Sequence, residues 1–210
     1  MRTLILNKDS LTAKTVANEL ISRADSMMQK ARSHPDWRKT SDVLPGTISY
    51  INIDYLDLNY RLRDSISLNS DQFPIYRDLL EDMQPLSNPF NTFRFLGHDP
   101  KYKEGETITS KSFWSTTIDF RSFRSGWKAT SLLFLLIPRG THAIMVQGFY
   151  KEKEIILPPG TQFKIRHKVT NYDDGFKENY LASSGADQFP EYLHATFNEI
   201  YVVYVKAPKT

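Results

Sequence analysis

Tyr150-Lys151-Glu152-Lys153-Glu154-Ile155-Ile156-Leu157-Pro158-Pro159-Gly160-Thr161 sets two acids in front of an apolar run that ends in a Pro-Gly turn. Residues two apart on a strand share a face, so Glu152 and Glu154 converge while Lys153 points away. One carboxylate of such a pair can stabilise positive charge developing on a sugar carbon, and the other can hold or deprotonate the incoming nucleophile, as in glycosyl transfer through an oxocarbenium-like state. The plainer alternative is a solvated Lys-Glu-Lys-Glu lead into a strand. Gly160, after Pro159, suits a positive φ that fixes the chain behind the acids.

The rest of the composition narrows the chemistry. At 210 residues, 40% hydrophobic and 13% aromatic, the chain can bury a substantial core as one domain or as two lobes that share one. It has no cysteine, which removes disulfides, thiolate zinc sites and cysteine nucleophiles together. That suits a reducing cytosol, or passage across a membrane without oxidative staples. The expectation is a soluble, cytoplasmic protein: Leu4-Ile5-Leu6 is too short for a signal peptide, and no stretch is apolar enough to span a bilayer. A net charge of +3 is too diffuse to mark a nucleic-acid footprint. His98, His142, His167 and His194 lack metal-ligand spacing, so no metal is expected.

Upstream of the acids, the pattern divides near Pro89. Ser10 can cap a helix carrying Leu11, Val16, Leu20, Ile21, Ala24, Met27, Met28 and Ala31. Ile48, Ile51, Tyr55, Leu58, Leu62 and Ile66 predict a second helix, and Asp71 opens a shorter one through Met83. Beyond Pro89, strands are predicted at 91–96, 112–117, 131–137, 141–146, 154–157, 161–169 and 199–206, with a polar excursion at 171–188. The reading is a single α+β domain over 1–210, with a helical lobe at 1–88 and a β-rich catalytic core at 89–210.

Three segments lie in order: Phe93-Arg94-Phe95-Leu96-Gly97, Lys111-Ser112-Phe113-Trp114-Ser115-Thr116-Thr117, and the acidic strand with its Leu-Pro-Pro-Gly-Thr turn. Together they resemble the arginine, serine, glutamate class of mono-ADP-ribosyltransferases, which includes bacterial toxins, vertebrate ecto-enzymes and phage enzymes. The resemblance covers roughly Phe93 to Val169 and implies a split β-sandwich capped by the helical lobe. It also implies NAD as the ADP-ribose donor and no metal.

By this resemblance Arg94 clamps the NAD pyrophosphate, with Phe95 beside it. A guanidinium on a rigid strand offers parallel charge-assisted hydrogen bonds that a lysine makes less directionally. Ser115 supports the nicotinamide-side ribose and orients the acid, while Thr116 and Thr117 brace the strand and border the ligand. Thr117 stands where the family shows serine. Glu154 is the central carboxylate, and Glu152 takes the acceptor-selecting place, where Glu is typical of enzymes that modify arginine. Phe120 and Arg124 belong to a ring- and guanidinium-rich segment that either folds over NAD or, through Phe123 and Trp127, anchors a helix to the core.

The implied activity is transfer of ADP-ribose to an arginine of a macromolecular target, with release of nicotinamide. NAD hydrolysis, modification of nucleic acid and an inactive binding module are the alternatives. A host protein is the expected partner. The setting would be the bacterial cytosol for a phage enzyme or the host cytosol for an injected toxin or effector.

Overall fold

The strand Ser131–Ile137 is apolar on both faces, and so is His142–Gln147 over Ala143–Val146, which places both inside the molecule rather than at an edge. The structure is a computed structural model describing residues 31–118, 130–147, 153–170 and 199–206. The expected helix after Ser10 lies outside these residues except for its end at Ala31, and the 171–188 excursion lies wholly outside them.

The described strands are β1 (Arg38–Lys39), β2 (Gln84–Pro85), β3 (Phe90–Leu96), β4 (Thr107–Thr109), β5 (Trp114–Thr117), β6 (Ser131–Ile137), β7 (His142–Gln147), β8 (Lys153–Leu157), β9 (Gln162–Thr170) and β10 (Glu199–Lys206). Their hydrogen-bonded order is β1-β7-β8-β5-β3-β6-β10-β9-β4, with β2 on β7. Pairing is antiparallel except for β1 on β7 and β6 on β10. Among the described residues the path is weakest between β3 and β5, where the register holds the single pair Phe93↔Thr117, against an unbroken run from Phe90↔Ile137 to Leu96↔Ser131 between β3 and β6. The strands therefore form two halves, as a split sandwich requires.

Alternation then sorts the core. Met145, Ile155 and Leu157 from one half pack with Leu133, Leu135, Tyr201 and Val203 from the other. Between them in sequence, Ile144, Val146 and Ile156 face the opposite way, onto Val43, Tyr50, Leu58, Leu79 and Phe113. The β7–β8 layer is thus covered on both sides, and each such side chain contributes about 1.5–3 kcal/mol of burial.

Two of the crossings between halves, β6 to β7 and β8 to β9, use the same kind of turn. At Pro138-Arg139-Gly140-Thr141, leading from β6 to β7, the Thr141 hydroxyl donates to Pro138 O at 2.9 Å. At Pro158-Pro159-Gly160-Thr161, leading from β8 to β9, Thr161 does the same to Pro158 O at 2.7 Å. Each Gly-Thr pair exchanges backbone bonds with a passing segment: Gly140 N–H to Leu86 O and Leu86 N–H to Thr141 O, then Gly160 N–H to Ser110 O and Ser110 N–H to Thr161 O. Gly160 has φ +84°, as the sequence predicts.

The helical lobe holds α1 (Pro45–Ser49), a π-helical turn (Tyr50–Asp54), α2 (Tyr55–Arg63) and α3 (Gln72–Glu81). Two carboxylates, one on α3 and one just past its end, satisfy the N-terminus of α1. Asp82, the residue after α3, accepts from Leu44 N–H at 2.8 Å and the Thr47 hydroxyl at 2.6 Å, and Asp78 accepts from Gly46 N–H at 3.0 Å. Burial opposes ionisation of Asp78, but bonds from Arg77 and Gly46 outweigh it and hold its pKa below the ordinary value. Arg38 on β1 pairs with Asp82 at 2.7 Å and ties this lobe to the sheet. Gly46 is required by contact, because a Cβ there would lie 2.8 Å from Ile75 Cα.

The π turn corrects the simple helical reading of 48–66. Its extra residue shifts the phase, so Tyr55, expected on the apolar face, is 41% exposed. Ile66 is equally exposed. It lies past the helix end, where Ser65 takes φ 58° and Ile66 N–H closes onto Arg61 O at 2.9 Å.

Candidate active site

β8, β5 and β3 are neighbours in the sheet, so the three motif segments that are distant in sequence become adjacent rows. Thr117 sits between Glu154 on one side and Phe93 on the other. Ser115 shares the face of Thr117, two residues on, and its hydroxyl donates to Glu154 Oε2 at 2.6 Å, a short bond of the charge-assisted kind. From the other neighbour, Arg94 Nη1 donates to the carbonyl of the same Ser115 at 2.6 Å. One residue of β5 thereby holds the acid by its side chain and the guanidinium by its backbone.

Arg94 is further fixed by Trp114, whose ring centroid lies 5.0 Å from Cζ, and Trp114 in turn stacks on Phe163 at 4.1 Å. Its Nε is buried with no partner among the described residues. Burial pulls the guanidinium below the usual arginine range; the neighbouring Tyr50, Tyr102 and Glu154 oppose this and Arg63 adds to it. Arginine remains a cation regardless.

Lys153 turns to the opposite face from Glu154, as the alternation predicts. Its ammonium donates to Arg32 O and lies 5.2 Å from the Trp37 ring centroid. Burial, followed by the charge of Arg32, lowers its pKa. Thr116 also turns away from the acid. It is 2% exposed and its hydroxyl donates to Ile155 O at 2.9 Å, so of its two expected roles its geometry serves bracing rather than contact with a ligand. Thr117 Oγ1 lies 3.5 Å from Lys153 O. Phe95 is half-buried and, by alternation, on the face of β3 opposite Arg94. Glu152, Phe120 and Arg124 lie outside the described residues.

Tyr50 and Asn59 were not singled out by sequence. The Asn59 side-chain amide donates to the Tyr50 hydroxyl at 2.8 Å, while its carbonyl accepts from Phe113 N–H at 3.0 Å, next to the serine strand. Burial raises the Tyr50 pKa to about 12, with Glu154 adding to the effect and Asn59, Arg94 and Arg63 opposing it. In an uninterrupted α-helix, residues nine apart stand on opposite sides, about 180° around the axis. The π turn brings them onto one face, and no period in the sequence signals it.

Among the described residues, no helix is long and apolar enough to cross a membrane, and no group of three His, Cys, Asp or Glu could hold a metal ion. A search of curated proteins returned no match. Among solved structures, the chain is similar to Plx2a, an ADP-ribosyltransferase toxin from Paenibacillus larvae, at TM-score 0.58 and 14% identity over 89% of this chain and 96% of that one. It is similar to the ADP-ribosylating toxin BECa of a C. perfringens binary enterotoxin, solved with NADH, at 0.57 and 17% over 93% of this chain and 49% of that one, so it spans about half of BECa. Exoenzyme S from Pseudomonas aeruginosa, solved with human 14-3-3 protein beta and carba-NAD, aligns at 0.54 and 18% over 91% and 87%. These likenesses concern the fold. Residues 75–185, more than half of the chain, match a family model directly, and the chain belongs to the ADP-ribosyltransferase exoenzyme family.

Proposed function

We propose that this chain transfers ADP-ribose from NAD to an arginine side chain of a protein and releases nicotinamide. The observation that carries the reading is the junction at Ser115, which binds Glu154 through its hydroxyl and Arg94 through its carbonyl. Arg94, with its Nε left over among the described residues, suits the pyrophosphate of a dinucleotide. Glu154, already oriented, suits the ribose 2′-hydroxyl, where a carboxylate stabilises the positive charge that spreads over the ring as nicotinamide departs. The neutral phenol of Tyr50 adds no competing negative charge there.

Arginine as the acceptor rests on Glu152. A guanidinium is protonated at neutral pH, so a carboxylate must bind it and draw off a proton as nitrogen attacks the ribose carbon. NAD labelled in its adenylate part tests both roles. Glu154→Ala should reduce nicotinamide release at least about a hundredfold. Glu152→Gln should abolish labelling of a guanidine acceptor while leaving much of the NAD hydrolysis. Equal loss of both activities in Glu152→Gln would remove the division of labour between the two acids. Label that is released by nuclease and resists protease would assign the acceptor to nucleic acid instead.

A further inference from the structure

Arg94 does not lie on the face of the sheet that carries Ser115 and Glu154. Phe93 pairs with Thr117, so Arg94, one residue on, shares the side of Thr116 and Trp114. The β8 partners of those two residues, Ile155 and Leu157, belong to the apolar core between the halves. A cation on such a side loses hydration and ordinarily takes a carboxylate in exchange. Among the described residues Arg94 forms no ion pair. Glu154 attracts it only at longer range, from the other face, and is itself bound by the Ser115 hydroxyl. What meets the guanidinium is the Trp114 ring, with its centroid 5.0 Å from Cζ, and the Ser115 carbonyl. The ring is held in its turn: it stacks on Phe163 at 4.1 Å and 21°, and Phe163 is fully buried on β9, in the opposite half.

We infer that Trp114 is a positioning residue for the donor nucleotide: its ring holds the Arg94 guanidinium where a carboxylate would otherwise stand, and so keeps that cation aimed and un-neutralised for the pyrophosphate. The inference rests on the proposed pyrophosphate role of Arg94 and goes beyond it by assigning what holds the cation ready. A carboxylate at ion-pair distance would steady Arg94 but compete with the ligand for it. A ring face attracts the cation and brings no rival negative charge. Tryptophan is the strongest ring for this purpose, and an aliphatic side chain would fill the same space without the attraction. Two contacts from one strand then fix the guanidinium, the ring of Trp114 and the carbonyl of Ser115, while Phe163 stops the ring from following if it moves. Arg94 is half-buried, so part of the side chain stays open to a ligand while its Nε is covered.

Nicotinamide release over a range of NAD concentrations tests it, on Trp114→Leu, Trp114→Met and Trp114→Phe beside the wild type, with thermal melting of each. Met is included because its adaptable chain fills the gap if the Leu variant does not fold. The two ringless variants should raise KM for NAD by about five- to thirtyfold, with kcat at saturating NAD changed by less than about threefold. Trp114→Phe, which restores a weaker ring, should recover much of that loss. Inhibition by ADP-ribose, which carries the same pyrophosphate, should weaken in step with KM, whereas inhibition by nicotinamide should not move. A KM that stays at the wild-type value in the folded ringless variants overturns the inference. So does Phe behaving no better than Leu and Met, or nicotinamide inhibition weakening as much as that by ADP-ribose, since either result assigns Trp114 to packing alone. Arg94→Lys separates the two levels of the argument. An unchanged KM in that variant removes the pyrophosphate clamp and this inference with it, whereas a raised KM there, with Trp114 variants at the wild-type value, overturns the inference and leaves the clamp.

Discussion

Replacing Ser115 with alanine removes one hydrogen bond and little volume, so its effect can be worked from geometry. The bond lost is the 2.6 Å donation to Glu154 Oε2, and a hydrogen bond to a charged group contributes about 1.5–3 kcal/mol. If the serine serves to hold the carboxylate toward the ribose, the loss falls on the transition state, where Glu154 must face developing positive charge. That range converts to roughly a tenfold to 150-fold fall in kcat. KM for NAD should move less than about threefold, because the Arg94 contact is to the Ser115 carbonyl and survives the change. The assay is nicotinamide release at saturating NAD, with thermal melting run on the same preparations. Thr116→Val is the matched control. It deletes a more deeply buried hydroxyl bond, to Ile155 O at 2.9 Å, on the other face, and should cost about 1 kcal/mol of stability with kcat unchanged. A Ser115→Ala enzyme that melts normally and turns over within about twofold of wild type would refute the claim that this bond positions the acid.

Arg94→Lys should raise KM for NAD by about tenfold or more, since an ammonium cannot hold Ser115 O, cover Trp114 and present paired donors together; an unchanged KM would remove Arg94 from the pyrophosphate clamp. Tyr50→Phe leaves the Asn59 amide without its acceptor and should cost about 1–3 kcal/mol at neutral pH. Because the folded pKa of Tyr50 is raised to about 12, its contribution is complete below the unfolded value near 10 and is lost as pH climbs between the two. The gap in melting temperature between wild type and Tyr50→Phe should therefore narrow over that window, and a constant gap would contradict the burial argument. Gly160→Ala, with open space around it, should cost only the backbone strain of a positive φ, about 1–2 kcal/mol, whereas Gly46→Ala forces α1 from the backbone of α3 and should cost more; chemical denaturation ranks the two.

What the sequence revealed and what it hid follow from the range of each signal. β6 and β10 match their predicted limits because six consecutive residues in each carry β-branched, aromatic or leucine side chains. The Leu-Pro-Pro-Gly-Thr turn was visible because Gly160 and Thr161 act within four residues. β1, β2 and β4 were missed: two or three residues long and largely polar, they exist because a neighbouring strand offers unpaired backbone, which no local pattern encodes. Arg94, Ser115 and Glu154 were found as an ordered set of motifs, and their meeting depends on strand order. Tyr50 and Asn59 were hidden because a π turn defeats the periodicity by which helices are read.

The position of the site follows from the same strand order. Among the described residues, β3 and β5 share a single register pair, Phe93↔Thr117. Arg94, one residue past that pair, spans the seam by donating to Ser115 O, a carbonyl that the interrupted ladder leaves on that side. Closing the ladder would satisfy the carbonyl with a backbone N–H and take from Arg94 the acceptor that now fixes it. The split and the placement of the cation are therefore one feature. It also explains why Ser115 joins the two charged groups: it lies on the last strand of one half, with Glu154 behind it on β8 and the opposite half in front. A substitution that lengthened the β3–β5 pairing would be expected to stabilise the fold and weaken the site, the exchange that functional sites commonly show.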